Sequence, residues 1–421
     1  MKISAVRPTA GLKQDADMEK FDFENLIDRR GSGCYKWDAD LPEGVELSCE
    51  ERADVIPLWV ADMDFAVAPC VLDAMRARLE HGVFGYVKPM PEFYDAIIRW
   101  FKDRHGACFA REWMLYTTGV VPAISACIKA LAPQGSGVII QTPVYNCFFS
   151  SVTNNGCRVV ASPLVRRDLG HGLFTYDMDF DDLEKKCADP QNKILLLCNP
   201  HNPAGRLWSA EELRRAGEIA MRNGVIVISD EIHCEIIPGG KPYTPFASLG
   251  EDFVQGSVTL ISPSKSFNFA GLKISCIVSE NAVWRGKIDR VLNIYEICDV
   301  NPFGPVAVQA AYSSEGARWL EGMNATVRRN YDALLAAFRD QLPCLPVAEL
   351  QATYLVWVDT SALKMQSARI ECELLEKEHV WVNAGSMYGD DNFIRINVAC
   401  QPQMFNEGLA RLLSGLKRLL K

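Results

Sequence analysis

No stretch of the chain approaches the roughly 18 uncharged apolar residues that a membrane span requires. The opening run, MKISAVRPTAGLKQDADMEK, has no apolar core of signal-peptide length. Basic charge is also in short supply. The 44 basic residues face 53 acidic ones, for a net charge of −9, whereas nucleic-acid binders usually carry a basic patch. Doublets such as Arg166-Arg167 are too short to alter that. Low-complexity stretches and internal repeats are missing as well. Cysteine is plentiful, at 15 residues, but the count is odd and the spacing irregular. No CxxC or Cys/His pattern suggests zinc, so no metal site is expected. Reduced thiols in a cytoplasmic protein are the expectation.

What remains is an ordinary globular composition, 48% apolar and 23% charged, in a chain of 421 residues. That length exceeds one layered domain, so two are expected. Residues 1–57 are polar and loop-rich and read as an N-terminal arm packing with the smaller domain. Over 58–305, short apolar runs alternate with amphipathic helices: GVII (137–140), KILLLC (193–198), GVIVIS (224–229), SVTLIS (257–262) and ISCIVS (274–279). Strands without polar alternation suit a sheet covered on both faces. Ser209-Ala210-Glu211-Glu212 is a capping-box signature that opens a helix, and Pro91–His105 has helical spacing of Phe93, Ile97, Trp100 and Phe101. The expected fold is α/β, with a mostly parallel seven-stranded-type sheet in a large domain. Residues 306–421 read as a smaller α+β C-terminal domain, with a long helix over 316–341 and a last helix striped by Leu409, Leu412, Leu413, Leu416 and Leu420.

Chemistry-bearing residues gather at the ends of the strands. Asp230 closes the run GVIVISD, where open α/β sheets bind ligands, and His233 follows it. Lys265 stands between two serines in SPSKSFNFAGLK (262–273). A lysine amine is nucleophilic only when deprotonated, which desolvation and neighbouring cations promote. In TTGVVPAISACIKAL (117–131) a glycine turns into a helix. The backbone N–H groups of Gly119, Val120 and Val121 then make a phosphate cradle, to which Ser262 and Ser264 add hydroxyls and Lys273 a charge. Tyr145, in QTPVYNCF, suits stacking on a flat ring. The turn NPHNPAGR leaves the Asn202 amide free to bond a ring oxygen. Arg395 alternates with apolar neighbours in FIRINV and points inward, where a guanidinium wants a bidentate anion such as an α-carboxylate. Amine, carboxylate, phosphate cradle and stacking ring together are what pyridoxal 5′-phosphate (PLP) requires.

The ordered set TGVV, NPHNPAG, SDEIH, SPSK-SFN and FIRINVAC resembles the fold-type I PLP enzymes of the class I/II aminotransferase superfamily. More narrowly, DRRG (28–31), KWD (36–38), IPLWVADMDF (56–65), FGY (84–86) and SDEIH look like the MalY/PatB-type C–S lyases, which are cystathionine β-lyase-like. Aminotransferases of the superfamily often carry Tyr at the position of His233 and Arg at that of Lys273. The first difference fits the lyase branch. The resemblance implies a C–S β-lyase that takes cystathionine or a related L-cysteine S-conjugate to a thiol, pyruvate and ammonia. It also implies a homodimer with shared active sites, in which Tyr86 reaches the partner's cofactor phosphate and Ala61 and Asp62 lie close to the substrate. An aminotransferase on the same scaffold, or a regulatory binding protein that retains PLP, are the alternatives.

Overall fold

The computed structural model describes residues 21–297 and 299–421, so the first 20 residues of the expected arm lie outside the described residues. A seven-stranded sheet forms the centre. Its strands run in the order Met114–Thr117, Ser275–Val278, Ser257–Ile261, Ile226–Asp230, Asn192–Cys198, Gly137–Ile140 and Arg158–Ala161. Only Ser275–Val278 is antiparallel to its neighbours. The expected mostly parallel sheet is present.

Both faces of that sheet are buried, which explains the unbroken apolar runs. Ile194 and Leu196 pack with Ile124 and Cys127 of the helix Val120–Leu131 and with Ile288 and Leu292 of the helix Ala282–Ile294. Leu195 and Leu197 face the other way, against Leu213 and Ile219 of the helix Ala210–Arg222. That helix starts at the expected capping box, where Ser209 accepts from the Glu212 N–H and Glu212 accepts from the Ser209 N–H. The helix Pro91–His105 buries Phe93, Ile97, Trp100 and Phe101, as its spacing predicts.

A second sheet of six strands has the order Asn383–Ala384, Phe393–Asn397, Leu355–Asp359, Val347–Ala348, Leu173–Asp177 and Val165–Gly170. Its last two strands are a hairpin from the middle of the chain. The long helix Ser314–Gln341 and the terminal helix Pro402–Leu419 cover this region. Leu409, Leu412, Leu413 and Leu416 are buried, but Leu420 lies past the helix end and is exposed, because the stripe outlasts its helix. No helix among the described residues is long and apolar enough to cross a membrane.

Candidate active site

A cavity of about 470 Å³ opens at the carboxyl edge of the seven-stranded sheet. Five parallel strands deliver their following residues to that edge. Gly119 follows Met114–Thr117, Tyr145 follows Gly137–Ile140, and Asn202 follows Asn192–Cys198. Asp230 ends its own strand, and Lys265 follows Ser257–Ile261. All five line the cavity. Residues far apart in sequence meet because parallel strands share one polarity.

The Lys265 amine donates to the Ala61 carbonyl at 2.5 Å. Burial pushes its pKa down to about 8, and the Arg395 charge adds to the effect against the opposing pull of Asp62. A fraction of the amine is therefore unprotonated near neutrality. Asp230 and Glu231 are adjacent buried carboxylates with different surroundings. Glu231 accepts from Ser229 Oγ at 2.8 Å, from the Phe246 N–H at 2.9 Å and from the Tyr243 hydroxyl. Asp230 is 4% exposed and, among the described residues, its carboxylate accepts only the Ile232 N–H, at 3.1 Å. Burial raises its pKa to about 7, and among the described residues no cation lies within ion-pair distance of it. It is a carboxylate waiting for a positive partner. His233 is held neutral, its pKa lowered to about 3 by burial and by the charges of Lys265 and Arg395. Its Nδ1 is buried without a hydrogen-bond partner among the described residues.

Arg395 is 2% exposed on the strand Phe393–Asn397. Its Nη1 donates to Asn202 Oδ1 at 3.3 Å and its Nη2 to the Trp59 carbonyl at 2.9 Å. The guanidinium lies 4.6 Å from the centre of the Tyr388 ring, and its Nε has no hydrogen-bond partner among the described residues. Among the described residues, no carboxylate pairs with it. A buried cation without a counter-charge is costly, so an anion is the missing element. Tyr145 lines the cavity, with its hydroxyl pKa pushed up by burial.

At the far end, Gly119 is the N-cap of the helix Val120–Leu131, with φ 154° and no side-chain cap. The first N–H groups of a helix lack internal partners, and here Gly119, Val120 and Val121 line the cavity. Ser264 and the exposed Lys273 line it too. Ser262 does not. Its hydroxyl donates to the Ile274 carbonyl at 2.6 Å and accepts the Ser264 N–H at 3.1 Å, so it braces the loop instead of facing the cavity. Ala61 contributes its carbonyl, but the Asp62 carboxylate is bound by Arg29 at 2.6 Å and is not part of the lining. Tyr86 is 97% exposed and is not part of the cavity lining within this chain. Sequence reasoning missed Tyr354, whose hydroxyl donates to Ala61 at 3.0 Å, as well as Cys198, Thr118 and the Trp59 carbonyl. A backbone carbonyl leaves no mark in a sequence, though Trp59 does belong to the WVADMDF run.

A family model described as aminotransferase class I and II matches residues 53–412. The chain is 37% identical to cystathionine beta-lyase PatB of Bacillus subtilis (strain 168), over 94% of this chain and 99% of that protein. It is 32% identical to protein MalY of Escherichia coli (strain K12), over 94% and 99% respectively. Among solved structures, it is similar to cystalysin from Treponema denticola, which contains a pyridoxal 5′-phosphate cofactor. The TM-score is 0.87 at 32% identity, covering 95% of this chain and 99% of that one.

Proposed function

From a chain that belongs to the aminotransferase class I and II family, in the branch of PatB and MalY, we infer a PLP-dependent C–S β-lyase. Its substrate is an amino acid, cystathionine or a related L-cysteine S-conjugate, and its products are a thiol, pyruvate and ammonia. The observation that carries the reading is the pairing, in one cavity, of the low-pKa Lys265 amine with an Asp230 carboxylate that lacks a cation. The choice of C–S cleavage rests on the likeness to PatB.

The residues fit PLP, and three unmet needs of the protein support this: Asp230 without a cation, His233 Nδ1 without a partner, and the uncapped helix start at Gly119. Lys265 would hold the aldehyde and Asp230 the ring nitrogen, with Tyr145 against the ring and Asn202 and His233 at the ring oxygen. The N–H groups of Gly119, Val120 and Val121, with Ser264 and Lys273, would hold the phosphate. Once bound, PLP supplies an aldehyde for the substrate amine and a ring that takes up the charge left when Cα loses its proton. Arg395 grips the α-carboxylate, which gives the buried guanidinium its counter-charge and turns the substrate Cα towards Lys265. The Lys265 amine then accepts the Cα proton, a role suited to a base with a pKa of about 8. Asp230, ionised once a cationic nitrogen lies beside it, keeps the proton on that nitrogen.

The reading includes a homodimer. Leu79, Val83, Phe84, Tyr86 and Met90 are all exposed between positions 79 and 90, apolar surface that a second subunit would bury. Tyr86 would cross it to the partner's phosphate site. Residues 58–305 would carry the cofactor and 306–421 the carboxylate clamp, in a cytoplasmic protein. The test is incubation of the PLP-loaded enzyme with cystathionine and a panel of cysteine S-conjugates, without a 2-oxo acid. Pyruvate, ammonia and thiol in equal amounts are expected. Turnover only when a 2-oxo acid is supplied, without ammonia release, would make the enzyme an aminotransferase.

A further inference from the structure

Two motifs of the arm, DRRG and KWD, have no part in the chemistry so far. Both end on the segment Trp59 to Phe65. Arg29 donates from Nη2 to Asp62 Oδ2 at 2.6 Å and from Nη1 to Asp64 Oδ1 and the Met63 carbonyl, both at 2.8 Å. Lys36, fully buried, donates to Asp64 Oδ2 at 2.5 Å and stands 3.7 Å from Asp62 Oδ1. Trp37 Nε1 donates to Asp64 Oδ1 at 2.8 Å. Despite the burial that opposes their charge, Asp62 and Asp64 keep Arg29 and Lys36 cationic. Two cations thus face two carboxylates.

The same segment is fastened to the catalytic loops on its other side. Ala61 offers its carbonyl to the Lys265 amine. Asn268, from the Lys265 loop, donates to the Met63 and Phe65 carbonyls at 2.9 and 2.8 Å and accepts the Met63 N–H at 3.0 Å. Asn397, from the strand of Arg395, donates to the Val60 and Asp62 carbonyls at 2.6 Å each. Whatever fixes this segment also fixes the oxygen that Lys265 sees.

We propose that Arg29 is a positioning residue for Lys265: by binding Asp62 it keeps that carboxylate neutralised, and it locks the segment so that the amine meets the Ala61 carbonyl and not a bare negative charge. The proposal rests on the reading of Lys265 as the residue that carries the cofactor. The ionisable groups that act electrostatically on the Lys265 amine, or are acted on by it, are Asp62, Arg395, Cys147, Asp230 and His233. Arg395 disfavours its proton, while Asp62, Cys147 and Asp230 favour it. Of these, Asp62 is the carboxylate tied to cations of the arm, Arg29 at 2.6 Å and Lys36 at 3.7 Å. Removing Arg29 takes away a positive charge and leaves Asp62 with the more distant Lys36, at 3.7 Å, and both changes favour the proton on Lys265. Removing the Asp62 charge does the reverse.

The test is a visible-absorption pH titration of the holoenzyme, in which the midpoint of the colour change follows the proton on the nitrogen supplied by Lys265. Arg29→Met should raise the midpoint by about one pH unit, the lower end of what a nearby unit charge does. Asp62→Asn should lower it by a similar amount, and Arg29→Lys should return it close to the wild-type value. A brace without an electrostatic role would loosen the cofactor or lower Tm while leaving the midpoint in place. Unmoved midpoints in coloured Arg29→Met and Asp62→Asn proteins would overturn the proposal. If Arg29→Met binds no cofactor, Asp62→Asn decides alone by the same criterion. Colour that persisted in Lys265→Ala would instead remove the assignment of Lys265 and the proposal with it.

Discussion

Replacing Arg395 separates a substrate clamp from a structural ion pair, because the two roles predict opposite effects on the fold. The guanidinium is buried, has no carboxylate partner among the described residues, and donates to Asn202 Oδ1 and the Trp59 carbonyl. An α-carboxylate bound to it gains two charge-assisted hydrogen bonds, each worth roughly 1.5–3 kcal/mol. A lysine at this position keeps the charge but loses the planar fork. The net loss for Arg395→Lys is then about 2–4 kcal/mol, or about a 30- to 900-fold fall in kcat/KM. Arg395→Met removes a buried charge that has no counter-ion. The cofactor-free protein should therefore keep its Tm or gain a little, since an uncompensated charge no longer has to be buried. Steady-state kinetics on a cysteine S-conjugate, paired with thermal melts of the cofactor-free protein, give both readouts. A kcat/KM within a few-fold of wild type, together with a steep fall in Tm, would show that Arg395 serves the fold and not the substrate.

Asp230→Asn should leave PLP bound and reducible by borohydride while lowering turnover about 10²–10³-fold, the usual cost of losing a key electrostatic partner. The same change should stabilise the cofactor-free protein in a pH-dependent way. The folded carboxyl, raised to about 7 by burial, keeps a proton that the unfolded chain has already released above about pH 4. The penalty thus grows as pH rises to 7 and is absent in acid, so the gain in Asp230→Asn should reach about 2–4 kcal/mol at pH 8 and vanish near pH 4. Urea melts at the two pH values check this, and equal gains at both would contradict the burial argument. Tyr86→Ala, at a position 97% exposed within one chain, should leave chain stability within about 0.5 kcal/mol but weaken PLP retention about tenfold, the worth of one charge-assisted hydrogen bond. Equilibrium dialysis measures the retention, and sedimentation of the wild type as a monomer would rule the shared site out.

Much of this architecture was legible because its signals are local. The runs KILLLC and SVTLI announce strands buried on both faces, and Ser209 and Glu212 announce a helix start three residues apart. Strand ends then imply the site, since a parallel sheet collects its carboxyl termini on one edge. What escaped depends on partners distant in sequence. The strand Val165–Gly170 is exposed along its whole length and has no apolar alternation, so nothing marked it as the edge of the second sheet. Ser262 has the right residue type and loop, yet the Ile274 carbonyl claims its hydroxyl. Asp62 lies next to a lining residue, but Arg29, 33 positions earlier, holds its carboxylate. No spacing rule pairs residues at that separation.

The proposed chemistry depends on Lys265 carrying the cofactor at the sheet edge opposite Asp230. Borohydride reduction of the purified, PLP-loaded protein, followed by proteolysis and mass spectrometry, tests it directly. The reduced cofactor is expected on the peptide containing Lys265, and Lys265→Ala is expected to carry none. Recovery of the label on another lysine, or a label that survives in Lys265→Ala, would contradict it.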